Sequence, residues 1–146
     1  MRCPDIFKTS ETPTSISITF NSTMKNLDRA CKKTIEFLKG KNGRIKKDIF
    51  SIHLVLREGL TNAVKHGNEN NPEKLVMCCI HLTPDQTLQM EIEDQGMGFD
   101  WQNSADVFPD TSSEGGRGLF IMKHYVSDYG YNETGNRLFL KKEISC

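Results

Sequence analysis

The chain has 146 residues, with 19 Lys plus Arg against 19 Asp plus Glu, so its formal net charge is zero. That length suits one domain burying roughly two-thirds of its unfolded surface. The charge balance lacks the basic excess of a nucleic-acid binder, and no apolar run approaches the roughly 18–20 residues of a membrane span.

Residues 1–14 are polar, carry Pro4 and Pro13, and read as a loose arm ahead of a single domain over 15–146. Met1-Arg2-Cys3-Pro4-Asp5 is followed by no apolar stretch of the signal-peptide kind, so the chain is expected in the cytoplasm. Ser15–Phe20 alternates Ile16, Ile18 and Phe20 with Ser and Thr, the pattern of a half-buried strand. Asn21-Ser22-Thr23 supplies capping side chains for a helix whose apolar stripe is Met24, Leu27, Cys31, Ile35 and Leu38, ended by Gly40 and Gly43. A second helix starts near Ile45, carries Ile49, Ile52, Leu56, Leu60 and Ala63 inward, and stops at His66-Gly67-Asn68 with Gly67 as its C-cap.

Two strands follow, Lys74–Thr83 and Thr87–Asp94, joined by the turn-forming Pro84-Asp85-Gln86. Residues 95–115 hold little periodicity and many turn formers, and a structureless stretch of that length is usually functional, often a lid. A third helix, about Gly118–Val126, precedes strands near Tyr129–Glu133 and Arg137–Glu143 around Thr134-Gly135-Asn136. Successive strands separated by turns imply a mixed, mostly antiparallel sheet with about three helices on one face, an α+β two-layer sandwich.

Cys3, Cys31, Cys78, Cys79 and Cys146 are odd in number and lack metal-ligand spacing. The adjacent pair points to opposite faces of its strand, so idle thiols in a reducing compartment are expected. His53, His66, His81 and His124 are scattered, and Lys39, Lys41, Arg44, Lys46 and Lys47 read as a solvated connection that would also steer an acidic partner.

Three segments carry chemistry. In Leu56–Asn68, Glu58 and Asn62 stand four apart, one turn above each other on a helix face beside the apolar stripe. A carboxylate and an amide oxygen so placed can hold a hard cation or its water shell; an ordinary amphipathic helix explains them equally. Directly after a strand comes Glu93-Asp94-Gln95-Gly96-Met97-Gly98, where two glycines let backbone come close to a ligand and Asp94 can accept a hydrogen bond. A tight turn is the plain alternative; Trp101 stands where a dinucleotide fingerprint needs its third glycine. The third segment, Glu114-Gly115-Gly116-Arg117-Gly118-Leu119, opens a helix, and glycines there expose N–H groups to an anion or simply make a flexible loop.

In order and spacing these three segments resemble the asparagine box and two glycine boxes of the GHKL ATPase superfamily, over roughly residues 45–143. Within it, Glu58-Gly59-Leu60-Thr61-Asn62-Ala63-Val64-Lys65-His66-Gly67 and the short chain look most like the anti-sigma-factor serine kinases. The resemblance implies a Bergerat ATP-binding fold with ATP and Mg²⁺ as ligands. It implies that Asn62 ligates Mg²⁺, that Asp94 accepts a hydrogen bond from the adenine amine, and that Gly96 and Gly98 make room for base and ribose. Gly115, Gly116, Arg117, Gly118 and Leu119 would form a lid over the phosphates, with Arg117 adding charge near the γ-phosphate. Glu58 would be the general base. Implied partners are a small anti-sigma-factor antagonist, phosphorylated on serine, and a sigma factor, with a homodimer as a family expectation. A regulatory module that holds ATP and exchanges partners without phosphoryl transfer is the alternative. Gly59, in mid-helix, and Trp101 have no role in this scheme; close packing of the helix against a strand would account for Gly59, and a hydrophobic anchor for the loop would account for Trp101.

Overall fold

A computed structural model describes residues 4–41, 43–98 and 124–144. Six strands form one sheet in the order β1-β2-β3-β4-β6-β5, where β1 is Phe7–Glu11, β2 Ser15–Asn21, β3 Leu75–Leu82, β4 Thr87–Glu93, β5 Asp128–Tyr131 and β6 Arg137–Glu143. Every pairing among the described residues is antiparallel, more uniform than the mixed sheet expected. Helices α1, Met24–Lys39, and α2, Ile49–Thr61, pack their buried faces into the same core as the sheet's inward side chains. The expected third helix falls mostly outside the described residues, of which His124 and Tyr125 are helical.

Period-two alternation explains the sheet's inner face. Ile16, Ile80, Met90 and Leu140 stand in one cross-strand row, and Ile18, Cys78, Ile92 and Leu138 in the next. All eight are at most 2% exposed. Burying one such aliphatic side chain contributes about 1.5–3 kcal/mol, so a one-residue slip, which turns the whole row outward, is strongly opposed. Cys78 lies in this core and Cys79 half-buried on the opposite side. Burial pushes the Cys31 thiol up to about 11 and the Cys78 thiol further, which leaves both inert as nucleophiles.

Thr23 caps α1 by accepting from the Asn26 N–H at 3.2 Å. The buried stripe of α1 runs through Leu27, Ala30, Cys31, Thr34, Phe37 and Leu38, with Met24 and Ile35 at its margin rather than its centre. The second helical segment enters as a 3₁₀ helix, Gly43–Asp48, becomes α2, and widens into a π-helical turn over Asn62–Gly67. Its C-cap is Asn68, and the left-handed residues that turn the chain away are Glu69 and Asn70, so Gly67 is not the cap expected.

The arm expected to be loose is instead strapped to the domain at Phe7–Glu11, which pairs with β2 as an edge strand. Asp5 accepts from Asn26 Nδ2 at 2.9 Å, Asn21 Oδ1 accepts from the Ile6 N–H, and the Arg29 guanidinium lies 4.1 Å over the Phe7 ring. The strand is invisible in sequence because four of its five side chains are exposed, so no apolar alternation marks it.

At Gly59 the close packing against a strand expected from the sequence is present. A Cβ at that position would stand 2.7 Å from Ile92 Cδ1 and 3.2 Å from Leu138 Cδ2. The absent side chain lets α2 lie directly on β4 and β6, and thereby sets the height of Glu58 and Asn62 above the sheet.

Candidate functional site

Asn62 opens the π-helical turn at the end of α2, and Glu58 lies one helical turn before it. A π turn is a device met frequently at functional sites, where it re-aims a side chain out of helical register. Asn62 is 7% exposed, and its Nδ2 is buried without a hydrogen-bond partner among the described residues. Which amide atom faces a ligand is exchanged by a simple flip. A buried amide left unpaired is costly unless something else completes it.

Asp94 follows the last residue of β4 and is 8% exposed. Its Oδ1 accepts from the Gly96 N–H at 2.8 Å. Burial pushes the carboxyl up to about 6; the Gly96 N–H and Lys74 pull it down while Glu93 adds to the rise. The Asp94 carboxylate rests against the Gly67 backbone, where a Cβ would come within 2.2 Å of Cγ. Gly67 is therefore a glycine because Asp94 lies on it.

The other two glycines of this turn are required by the protein itself. A Cβ at Gly96 would sit 2.0 Å from the Gly67 carbonyl oxygen. Gly98 has a φ of 78°, and a Cβ there would sit 1.8 Å from the Thr134 carbonyl oxygen. The close approach expected toward a ligand is thus, at both positions, an approach of backbone to backbone. Gly96→Ala is expected to destabilise the fold by roughly 1–3 kcal/mol, since neither backbone can yield as a side chain can. A urea midpoint equal to that of the unaltered chain would show that the crossing relaxes freely.

Asn62, Gly67, Asp94 and Gly98 line one cleft with Tyr131 and Gly135. The cleft is open to solvent, and its space of about 590 Å³ includes that open mouth. Glu58 is not among the lining residues, but its charge reaches the cleft: burial raises the Tyr131 hydroxyl above its usual range, and the carboxylates of Asp94 and Glu58 add to the rise. Asn62, Asp94 and Gly98 are therefore brought together, with Glu58 beside them and Gly96 supporting Asp94. Gly115, Gly116, Arg117, Gly118, Leu119 and Trp101 lie outside the described residues.

Sequence reasoning missed Tyr131 and Gly135, which come from the β5–β6 hairpin, and Asn68, which is fully buried. Thr134-Gly135-Asn136 signalled only a turn. Among the described residues no cluster of three or more His, Cys, Asp or Glu could hold a metal ion, and no helix is long and apolar enough to cross a membrane.

The chain matches the histidine kinase-like ATPase domain family over residues 20–142. It is 29% identical over 106 residues to the anti-sigma F factor of Priestia megaterium, covering 67% of this chain and 71% of that protein. Identity to the serine-protein kinase RsbW of Staphylococcus epidermidis is 30% over 107 residues, covering 66% and 67%. The anti-sigma F factor of Bacillus subtilis (strain 168) is 30% identical over 105 residues, 67% of this chain and 71% of that protein.

Proposed function

We propose, on the premise that this chain belongs to the histidine kinase-like ATPase domain family, that it transfers the γ-phosphate of ATP to a serine of a small anti-sigma-factor antagonist and also holds a sigma factor by direct binding. The observation that carries this reading is the meeting, in one cleft, of a buried carboxylate at Asp94 and a buried, unpaired amide at Asn62, with Glu58 one turn above. Relatives named anti-sigma F factor and serine-protein kinase support the same activity.

In this reading Asp94 receives the adenine amine and the strand-end glycines fix the loop that carries it. Asn62 would supply a neutral amide oxygen toward Mg²⁺, which needs only one or two protein ligands beside the triphosphate, with its amide flipped so that oxygen takes the place of the unpaired Nδ2. When bound, the ion neutralises phosphate charge. Glu58 takes the proton of the serine hydroxyl as its oxygen bonds to the γ-phosphorus and the bond to the bridging oxygen of ADP breaks. Gly115, Gly116, Arg117, Gly118 and Leu119 belong to the lid in this scheme, and the domain is a cytoplasmic, homodimeric regulator.

The experiment is direct. Incubated with γ-labelled ATP and its antagonist, the protein is expected to place label on a serine. A nucleotide-dependent exchange of partners without label would favour the regulatory module instead.

A further inference from the structure

Beyond the end of β4 the sheet ladder no longer fixes both sides of the chain, yet Asp94 has to point one way. The peptide that joins Asp94 to Gln95 is gripped at both ends by side-chain amides. Its carbonyl oxygen accepts from Asn136 Nδ2 at 3.2 Å, and its N–H donates to Asn68 Oδ1 at 2.8 Å. The preceding peptide is tied to the same partner, since the Asp94 N–H donates to the Asn136 carbonyl at 2.9 Å. An asparagine side chain carries the same donor and acceptor as a peptide, so the pair extends the ladder by one rung where no strand is available.

Both amides are themselves anchored. Asn68 is fully buried, and its Nδ2 donates to Ser22 Oγ at 2.6 Å and to the Leu75 carbonyl at 2.9 Å. Asn136 Oδ1 accepts from Asn132 Nδ2 at 2.9 Å. Asn132 Oδ1 in turn accepts the backbone N–H groups of Gly135, Asn136 and Arg137 at 2.8, 3.1 and 3.2 Å. Rotation of the 94–95 peptide would swing the Asp94 carboxylate and break bonds on two separate elements.

We infer that Asn68 and Asn136 are positioning residues for nucleotide recognition: they clamp the Asp94–Gln95 peptide from opposite sides and so aim the Asp94 carboxylate into the cleft. This rests on the reading of Asp94 as the acceptor of the adenine amine. Asn136 is the better handle, because Asn68 lies in the core.

The test compares calorimetric affinities for ATP and ITP, whose base carries a carbonyl in place of the exocyclic amine. Asn136→Ala is expected to lower the ATP-to-ITP affinity ratio roughly tenfold, the worth of one well-aimed charge-assisted hydrogen bond, with ITP affinity unchanged. In an Asp94→Asn background the same substitution is expected to change the ratio no further. Equal losses for both nucleotides, or an unchanged ratio, would overturn the clamp. An unchanged ratio in Asp94→Asn alone would instead overturn the role of Asp94. If Asn136→Ala does not fold, Asn136→Ser, whose side chain is too short to reach the Asp94 carbonyl, makes the same comparison.

Discussion

Glu58→Gln is expected to reduce phosphoryl transfer to the antagonist by roughly 10²–10⁴-fold while leaving ATP binding intact, the range by which a positioned general base contributes. Glutamine keeps the shape and the helix propensity of the position but cannot take a proton from the serine hydroxyl. Glu58 stands outside the lining of the cleft and one turn from Asn62, so its loss should not disturb the nucleotide itself. Its charge nevertheless adds to the rise of the Tyr131 hydroxyl inside the cleft. Single-turnover transfer of labelled phosphate, set beside calorimetric ATP binding, separates the two effects. A normal transfer rate would move the base elsewhere, and a parallel loss of ATP affinity would make Glu58 part of the nucleotide pocket.

The inner face of the sheet was legible because its signal is local. Ile16, Ile18 and Phe20 alternate with polar residues, as do Leu88, Met90 and Ile92, and each strand announces its own buried side without reference to its neighbours. Phe7–Glu11 was not legible, since an edge strand held by backbone pairing and by Asp5, Phe7 and Arg29 needs no apolar alternation of its own. The residue pattern opens the second helix near Ile45, where a 3₁₀ helix stands first, a distinction that depends on hydrogen-bond register rather than on residue pattern.

At the site, Glu58 and Asn62 could be paired from their spacing alone, and Asp94 from its place between a strand and a glycine. What spacing could not supply was the reason for the glycines. Gly59, Gly67, Gly96 and Gly98 each face atoms distant in the chain: Ile92, Asp94, Gly67 and Thr134 respectively. A glycine's tolerance can be read from sequence, but the neighbour that demands it is a property of the assembled fold. The same holds for Asn68 and Asn136, whose shared partner is a peptide that neither adjoins.

Asp94→Asn is expected to weaken ATP binding by roughly 10–150-fold, the worth of a hydrogen bond to a charged group, and to abolish any preference for ATP over GTP. Guanine presents a carbonyl oxygen where adenine presents its amine, so a carboxylate set against the base would repel the first and receive the second. The same substitution should stabilise the nucleotide-free protein near neutral pH. Asp94 has its carboxyl pushed up to about 6 from 3.8, chiefly by burial. A carboxyl raised on folding makes the native state bind protons more readily, so its stabilising contribution is full below about pH 4 and lost as pH rises through about 6. Above that range the charge is kept against its burial, at a cost to stability. The asparagine variant escapes this cost. Nucleotide linkage runs the opposite way: an amine donor favours the ionised form, so ATP affinity should fall as pH drops below about 6, and binding near that pH should release a proton. Melting at pH 5 and pH 8, with calorimetry in two buffers of different ionisation enthalpy, tests both signs at once. Proton uptake on binding, or equal affinity for ATP and GTP in the unaltered protein, would remove Asp94 from the nucleotide, and its buried charge would then have no compensation in function.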